Sequence, residues 1–427
     1  MYVVADQVVR YLQAHDLLQS AYRRHHSTET ALLRVLSDIY AATDRQEVTL
    51  LGLLDLTAAF DCVDHDILLR RLEQSFGVTS TLLTWIRSFM HGRTQQVCYA
   101  GRLSTIILLL FGVPQGSVLG PLLFLLYNAE LFDVIAISGL TGHSYADDTQ
   151  VYISAPAAST STITQMFVEC VERVDAWMSS NRLSMNADKT QMVWLGTRQQ
   201  LDKLSVTELS LLSARVQFST TVSDLGVLID GQLSMADHVS SLCRSCFFQL
   251  RQLRLVRSSL TPDAAKMLVH AFTSSRLDYC NSLLYGIGDG LVKKLQAVQN
   301  SAARVVTGTR KYDHITPVLC DLHWLPVQHR IDFKVAMTVY KCIHGLVPQY
   351  LADDCVLAST VRSRRHLRSA DTMKLVVQRT KTVIGTRAFA VAAATVWNRL
   401  PANIRTSTCT VQTFAQKLKT FYASRRI

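Results

Sequence analysis

Three aspartates have the residue type and spacing that phosphate-transfer chemistry requires. Asp55 lies at the end of the continuous apolar run 48–56, and Asp147 and Asp148 are adjacent in a short polar turn. Two Mg²⁺ ions about 4 Å apart take oxygen ligands, and a few carboxylates plus substrate phosphates complete their coordination shells. Such ions activate an attacking hydroxyl and stabilise a leaving pyrophosphate. Taken alone, an Asp-Asp pair is usually a plain turn, which aspartate favours.

The elements that must position these aspartates follow from apolar periodicity. Run 48–56 is predicted to be a buried strand, and residues 144–153 a hairpin whose turn is Ala146-Asp147-Asp148. Helices are predicted over 65–76, 79–90, 119–131 and 161–181, and further β-like pieces over 95–100, 105–111, 191–195 and 224–229. Nearly everything after residue 235 has helical periodicity. The order predicts an α+β half followed by a helical half.

Composition excludes several classes of protein. The 427 residues are 48% hydrophobic and 18% charged, which is enough for two or three packed domains and too apolar for a disordered chain. The ten cysteines have irregular spacing, which predicts free thiols and a reducing intracellular compartment. A nuclear and cytoplasmic location, without secretion, is expected. The apolar stretch 121–140 contains Glu130 and Asp133, so no membrane association is expected.

The charge is distributed unevenly along the chain. Residues 1–240 hold 16 Lys and Arg against 24 Asp and Glu, whereas residues 241–427 hold 28 against 9, a balance of +19. The second half contains no Glu, and its basic residues are spread over helical patterns. This predicts a folded surface that faces a polyanion, with nucleic acid as the leading partner. The alternative is a basic face that only keeps the protein in solution.

Three motifs together carry a resemblance to a known family. They are Leu54-Asp55-Leu56-Thr57-Ala58-Ala59-Phe60-Asp61, Gly112-Val113-Pro114-Gln115-Gly116-Ser117-Val118-Leu119-Gly120-Pro121 and Tyr145-Ala146-Asp147-Asp148. In this order and spacing the chain resembles the reverse transcriptase of a LINE-type (non-LTR) retrotransposon. The segments His323-Trp324-Leu325-Pro326 and Trp397-Asn398-Arg399-Leu400-Pro401 are similar to the less understood tails of such proteins.

The resemblance implies an α+β fold of the right-hand polymerase type, with fingers, a palm built on an antiparallel sheet, and a helical thumb. On this basis residues 1–50 are expected to be partial fingers, and 51–235 the palm with the remaining fingers elements. Residues 236–310 are expected to be a thumb-like helical region, and 311–427 a basic helical C-terminal region of unassigned role. The usual opening segment of the fingers and a preceding endonuclease are not found, so an N-terminally truncated member is expected.

The resemblance also implies site residues. Asp55 and Asp147 are expected to be metal ligands with Asp148 as a third, and Lys189 to protonate departing pyrophosphate. The nucleotide is expected to meet the carbonyl of Leu56, the steric gate Phe60, the loop residues Gln115 and Gly116, and Arg23 or Arg24. Without the family, Phe60 reads equally as a core residue, the 112–117 loop as an ordinary turn, and Lys189 as a solvated side chain. Leu225-Gly226 resembles a primer grip.

The implied function is that of an RNA-directed DNA polymerase. It would extend a DNA 3′-hydroxyl on an RNA template with deoxynucleoside triphosphates and two Mg²⁺ ions, for which Mn²⁺ can substitute. An RNA-directed RNA polymerase is the rival enzyme, and the aromatic Phe60 and Ala146 argue against it. A catalytically silent remnant that only binds nucleic acid is the rival outside enzymes. The basic run 362–368 is predicted to contact phosphate or to serve as a nuclear address.

Overall fold

The computed structural model describes residues 2–14, 22–212, 214–360, 373–406 and 409–425, so the basic run 362–368 lies outside the described residues. The chain divides into two compact units. The first comprises Met1–Ser27, Thr49–Trp194 and Lys203–Ser219, and the second Thr28–Val48, Leu195–Asp202 and Thr220–Ile427. Residues 28–48 group with the C-terminal helices in the second unit, and the domain boundaries expected from the sequence stay a prediction.

Helices and strands of the first 235 residues alternate along the chain. The helices are α1 Tyr2–Ala14, α2 Thr28–Asp44, α3 His65–Gln74, α4 Ser80–Met90, α5 Gly120–Tyr127, α6 Leu131–Ile137, α7 Thr160–Ser180 and α8 Arg198–Leu201. The strands are β1 Glu47–Leu54, β2 Thr94–Gln95, β3 Cys98–Tyr99, β4 Arg102–Leu103, β5 Ile107–Leu108, β6 Thr141–Tyr145, β7 Asp148–Pro156, β8 Gln191–Leu195, β9 Glu208–Leu211, β10 Ala214–Gln217, β11 Thr221–Asp224 and β12 Val227–Asp230. The prediction of a mixed α+β half is confirmed.

The remaining described residues are largely helical, as predicted. The α-helices are α9 Ala236–Val256, α10 Pro262–Val269, α11 Ser275–Asp278, α12 Asp289–Thr307, α13 Ile315–Asp321, α14 Val327–Ile343, α15 Gln349–Ala352, α16 Phe389–Asn398, α17 Ala402–Arg405 and α18 Val411–Ser424.

A four-stranded sheet organises the first unit, with strand order β6-β7-β1-β8. Strands β6 and β7 pair antiparallel from Thr141↔Tyr152 to Tyr145↔Asp148, which confirms the predicted hairpin. Helix α7 packs on this sheet. An ideal Cβ on Gly52 of β1 would lie 2.4 Å from the Cζ atom of Phe167 in α7, so glycine lets the ring approach the strand backbone.

The single helix predicted over 119–131 is wrong, because the chain turns after Tyr127. The buried Arg71 of α3 donates a hydrogen bond to the Tyr127 carbonyl, which a continuing helix would use. Leu131 N–H instead donates to the Asn128 carbonyl, at 3.1 Å. The same guanidinium reaches Glu130 Oε2 at 2.7 Å and Asn181 Oδ1 at 2.9 Å. One cation therefore sets the break between α5 and α6.

Two other sequence predictions need correction. The runs 95–100 and 105–111 are not two continuous strands, because residues 94–108 contain four two-residue strands, in which β2 pairs with β5 and β3 with β4. Residues 224–229 are not one strand, since β11 and β12 form an antiparallel hairpin with Leu225 and Gly226 at its turn. Both turn residues have positive φ, 46° and 79°, and glycine meets the second at no steric cost.

The most apolar stretch of the chain lies inside the first unit. Gly120–Ile137 is long and apolar enough to cross a membrane by length and composition, but it is built as α5 and α6, and 56% of it is buried. Core helices of ordinary folded domains pass the same test, so this run gives only weak support to a membrane span.

An aromatic stack lies in the core of the second unit. Phe414 of α18 stacks on Tyr340 of α14 with ring centroids 4.0 Å apart, and the buried Trp397 of α16 lies 5.9 Å away. Asn398 next to it both donates to the Leu375 carbonyl and accepts from the Leu375 N–H. The Trp397–Pro401 motif therefore has a packing role.

The guanidinium that ends α5 allows a stability prediction. Arg71→Ala should lower the free energy of unfolding by about 3 kcal/mol. The substitution leaves the Tyr127 carbonyl and the side-chain oxygen of Asn181 without this hydrogen-bond donor, and Glu130 without its ion-pair partner. This loss of stability is at the low end for a broken buried ion pair, since the side chain of Glu130 is 41% exposed. Urea unfolding would measure it. Arg70→Ala, an exposed neighbour on the same helix, is the matched control, and an equal loss in both variants would contradict the assignment.

Candidate active site

Strands β1 and β7 bring two of the predicted aspartates together. The hydroxyls of Thr49 in β1 and Ser154 in β7 are 2.8 Å apart, which fixes where these neighbouring strands meet. Asp55 lies six residues after Thr49, and Asp148 six residues before Ser154. The charge of Asp55 acts on Asp148, so both carboxylates lie at the same end of this strand pair. Asp147 lies in the two-residue turn of the hairpin, directly before Asp148, the first residue of β7.

The charges of the three aspartates act on one another. The pKa of Asp148 is raised, first by partial desolvation and then by the negative charges of Asp147 and Asp55. Mutual repulsion of this kind favours any bound cation that neutralises it. Asp148 is exposed at the surface and Asp147 half-buried, so ions and substrates can reach them.

The hairpin turn itself is under strain. Ala146 has a φ of 62°, in a region that costs a residue with a Cβ roughly 1–2 kcal/mol. The Ser144 hydroxyl donates to the Ala146 carbonyl at 2.9 Å and so helps to hold the turn. Strained backbone persists where the surroundings determine it, and functional sites are common places for it.

Asp55 is held by a second segment of the first unit. Its carbonyl accepts a hydrogen bond from Asn186 N–H, and Thr57 N–H donates to the Ser184 carbonyl, both at 2.9 Å. The following turn closes through hydrogen bonds of Asn186 and brings Lys189 Nζ within 3.5 Å of Asp55 Oδ2. Lys189 is thus a direct neighbour of a predicted metal ligand. Its side chain is 69% exposed, so it can move without disturbing the core.

Phe60 and the 112–116 loop form the adjoining part of the site. The Val113 N–H donates to the Phe60 carbonyl at 2.9 Å, and the Gln115 amide donates to Asp61 Oδ1 at 2.9 Å. The Phe60 ring stacks on Phe124 of α5 with centroids 4.5 Å apart, and it remains half-buried. Gln115 and Gly116 are exposed, as expected of groups that contact a ligand. The structure therefore gives Phe60 a packing contact without hiding it.

Other predicted residues are less closely connected. Leu56 is buried and forms an antiparallel bridge with Met185, which leaves its role a prediction. Arg23 is half-buried and Arg24 exposed, and the carbonyl oxygens of both lie within hydrogen-bond distance of His26. Leu225 and Gly226 belong to the second unit, where the Tyr279 hydroxyl donates to the Leu225 carbonyl at 2.7 Å.

Two residues near the aspartates escaped the sequence analysis. The pKa of Tyr22 is raised by burial and by the negative charge of Asp147, so its hydroxyl lies near the hairpin turn. Asn186 closes the turn that carries Lys189. Asparagine is common in turns, and this preference is the signal that could have identified it. Nothing in the sequence marks Tyr22 beyond its place beside Arg23.

The donor set fits a hard divalent cation. Asp55 Oδ2 is buried and makes no hydrogen bond to any described residue, with Lys189 its nearest cationic neighbour. In the described part of the chain, no three His, Cys, Asp or Glu side chains converge closely enough to enclose a metal ion. Mg²⁺ does not need such an enclosure, because it is commonly held by one or two carboxylates together with substrate phosphates.

An aspartate after one strand, facing an Asp-Asp turn beside a neighbouring strand, is typical of polymerase domains that join nucleotides with the help of metal ions. Residues 3–226 match the family described as "Reverse transcriptase (RNA-dependent DNA polymerase)". The match covers more than half of the chain, and the protein belongs to this family. The resemblance to reverse transcriptases of non-LTR retrotransposons is confirmed.

Relatives extend the similarity beyond the family match. Over 330 residues the chain is 28% identical to "RNA-directed DNA polymerase from mobile element jockey" of Drosophila funebris, covering 75% of this chain and 35% of that protein. It is 26% identical over 353 residues to "Probable RNA-directed DNA polymerase from transposon X-element" of Drosophila melanogaster, covering 77% and 36%. The chain thus spans about a third of the length of the curated relatives it matches.

A solved structure gives a much weaker likeness. Telomerase from Candida albicans, in complex with a fragment of telomeric RNA, aligns over 78% of this chain and 54% of that chain, with 13% identity and a TM-score of 0.37. A likeness at this level supports no conclusion about the fold or function of this chain.

Proposed function

We propose that this chain is an RNA-directed DNA polymerase of a non-LTR retrotransposon. It extends the 3′-hydroxyl of a DNA primer on an RNA template, with deoxynucleoside triphosphates as substrates. The single observation that carries the proposal is the buried Oδ2 of Asp55, which accepts no hydrogen bond from a described residue and has Lys189 as its cationic neighbour, close to the charges of Asp147 and Asp148. Membership of the reverse transcriptase family supports the same reaction.

Asp55, Asp147 and Asp148 would hold two Mg²⁺ ions, or Mn²⁺ in their place. When bound, these ions supply charge neutralisation for the attacking hydroxyl and the leaving pyrophosphate. The chain itself positions the reactants, because the strand ends and the hairpin turn fix the carboxylates before substrate arrives. Lys189, 3.5 Å from Asp55, is placed to exchange its carboxylate partner for a phosphate and to give a proton to pyrophosphate.

Selection of the sugar is assigned to Phe60. Its ring is braced on one side by Phe124, and rigid support is what a steric gate needs in order to exclude a hydroxyl. The carbonyl of Leu56 and the exposed Gln115 and Gly116 are assigned to the nucleotide and template. Arg23 and Arg24 are assigned to the triphosphate on sequence alone.

The remaining assignments rest on the family resemblance. The four-stranded sheet of the first unit corresponds to a palm, the helices after residue 235 begin with a thumb, and the first fifty residues belong to fingers. A right-hand polymerase of this type works on nucleic acid inside the cell, so an intracellular, nuclear and cytoplasmic location is part of the proposal. Nucleic acid as the polyanion facing residues 241–427 agrees with their balance of +19.

Primer extension by the full chain on poly(rA)/oligo(dT) with Mg²⁺ tests the proposal. Asp147→Ala should reduce the extension rate by about a thousandfold, because loss of a metal ligand costs several kcal/mol of barrier. Binding of the RNA/DNA duplex should change only a few fold, since aspartate makes few phosphate contacts.

Asp188→Ala is the matched control for this variant. Asp188 is an exposed aspartate of the first unit, adjacent to Lys189, and no catalytic role is assigned to it. The Asp188→Ala variant should extend the primer at the wild-type rate. Circular dichroism should give the same spectrum for the wild type, Asp147→Ala and Asp188→Ala. A wild type that binds the duplex without extending it would support the silent remnant instead. Extension by Asp147→Ala at more than a tenth of the wild-type rate would remove Asp147 from the site.

Shortening Phe60 tests sugar selection. Phe60→Val should raise ribonucleotide use relative to deoxyribonucleotide use by at least about tenfold, mainly through kcat/KM for ribonucleotides. Single-nucleotide extension with ribonucleotides and with deoxyribonucleotides measures this ratio. Phe124→Leu weakens the support of the ring but leaves the gate itself in place, so it should change selectivity by a smaller factor than Phe60→Val. An equal change in both variants would mean that packing, and not a gate, sets the ratio. Efficient ribonucleotide use by the wild type would favour an RNA-directed RNA polymerase.

A further inference from the structure

Two cavities of the second unit share the turn His323-Trp324-Leu325 in their linings. The larger has a volume of about 650 Å³ and is lined by residues of α12, α13 and α18. The smaller has a volume of about 430 Å³, and both are lined by the three turn residues and by Lys419. This turn is most of the His323–Pro326 motif, to which the polymerase assignment gives no role.

Helix α12 holds the turn in place. Gln299 donates a hydrogen bond to the Leu325 carbonyl at 2.8 Å, and Gln296 Oε1 accepts one from Val327 N–H at 2.8 Å. Gln299 is 2% exposed, so the first of these bonds is protected from water. The wall between the cavities is therefore built into the fold, and both cavities are preformed.

The larger cavity combines apolar walls with amides and positive charge. Its carboxamides belong to Gln296, Asn300, Gln328 and Gln416, and none of the described residues that line it is Asp or Glu. Lys293 and Lys419 contribute exposed ammonium groups, and neither forms an ion pair with a described residue. The Gln296 carboxamide is bonded to Gln299, Asn300 and Val327, and that of Gln328 donates to Asp332. The polar edge of a nucleobase would therefore meet the Gln416 carboxamide and the amide donors of Asn300.

The smaller cavity contains an unsatisfied acceptor. Asn281 is 4% exposed and lines this cavity, and its Oδ1 atom is buried without a hydrogen-bond partner among the described residues. A buried acceptor without a partner costs stability, so a ligand that brings an N–H group would be stabilised there. The Trp324 indole and the His270 ring, with centroids 5.4 Å apart, offer flat surfaces beside it.

We propose that the two cavities bind unpaired nucleobases of a single-stranded nucleic acid. The flat apolar faces of the bases lie against the turn, their N–H groups reach Asn281 and the carboxamides, and the phosphates contact Lys293 and Lys419. Both volumes fall within or near the range of about 300–1,000 Å³ typical of small-ligand pockets. The inference does not depend on polymerase activity, because its residues all belong to the second unit.

A protein segment with apolar side chains is the competing occupant. It would use the apolar walls, but it would leave the two unpaired lysines without a counter-charge unless it were acidic. The basic balance of residues 241–427 favours the polyanion. The cavity chemistry therefore points to nucleic acid.

The test is binding of the full chain to fluorescein-labelled single strands of about 12 nucleotides, a length of the order that single-strand sites cover. RNA and DNA are each compared with an otherwise identical strand whose central nucleotides are abasic. Thr420→Trp fills the mouth of the larger cavity, since Thr420 is exposed and lines it. Gln412→Trp, exposed on the same helix and outside the cavity, is the matched control.

The wild type should bind the intact strand at least about tenfold more tightly than the abasic one. Thr420→Trp should remove most of this preference, and Gln412→Trp should keep it. Equal affinity for both strands in the wild type, or a full preference in Thr420→Trp, would overturn the proposal and leave a protein segment as the occupant. Preference for RNA over DNA would assign the ligand to the template side, and the reverse to the primer side.

A second pair of variants tests the proposal if Thr420→Trp fails to fold. Lys293→Ala combined with Lys419→Ala should lower affinity for the intact strand at least about tenfold and reduce the salt slope by about 1.4. Lys294→Ala combined with Lys417→Ala keeps the same net charge but changes lysines outside both cavities. Equal losses in the two double variants would mean general attraction only, and would contradict the site.

Discussion

Repulsion among three carboxylates is the interaction on which the first unit depends. Asp55, Asp147 and Asp148 would separate in a flexible chain, yet two neighbouring strands and a two-residue turn keep them together. The pKa of Asp148 is raised first by partial desolvation of its carboxyl group and then by the neighbouring charges of Asp147 and Asp55. We expect a site built in this way to bind cations, because the protein has already restricted the ligands.

The surrounding elements can be understood as supports for that arrangement. The 184–186 segment fixes the backbone around Asp55 by two hydrogen bonds, and the turn after it brings Lys189 to the carboxylate. The 112–115 loop is bonded to Phe60 and Asp61. Buried Arg71 ends α5, whose Phe124 braces Phe60. A chain of packed and hydrogen-bonded groups thus runs from the core to the place where a nucleotide would lie.

Local patterns predicted part of this fold well. Strand β1, the hairpin around Asp147 and helix α7 follow directly from apolar periodicity and turn residues, and the family motifs located the aspartates. The break after Tyr127 could not be predicted, because it depends on Arg71, which lies 56 residues away. The β11–β12 hairpin was missed because its turn contains Leu225 at positive φ, and leucine is rare at such turn positions. The pairing of Lys189 with Asp55 and the cavities beside Trp324 are tertiary features without a local signal.

Cation binding by the free protein tests the central claim most directly. Mn²⁺ binding, followed by electron paramagnetic resonance at pH 7.5, should be seen for the wild type and be lost in Asp55→Asn, which keeps the shape of the side chain but removes its charge. Because protons compete for Asp148, whose pKa is raised by desolvation and by Asp147 and Asp55, the affinity should fall as the pH is lowered toward that pKa. Equal Mn²⁺ binding by the two proteins, or none by the wild type at millimolar Mn²⁺, would contradict the account.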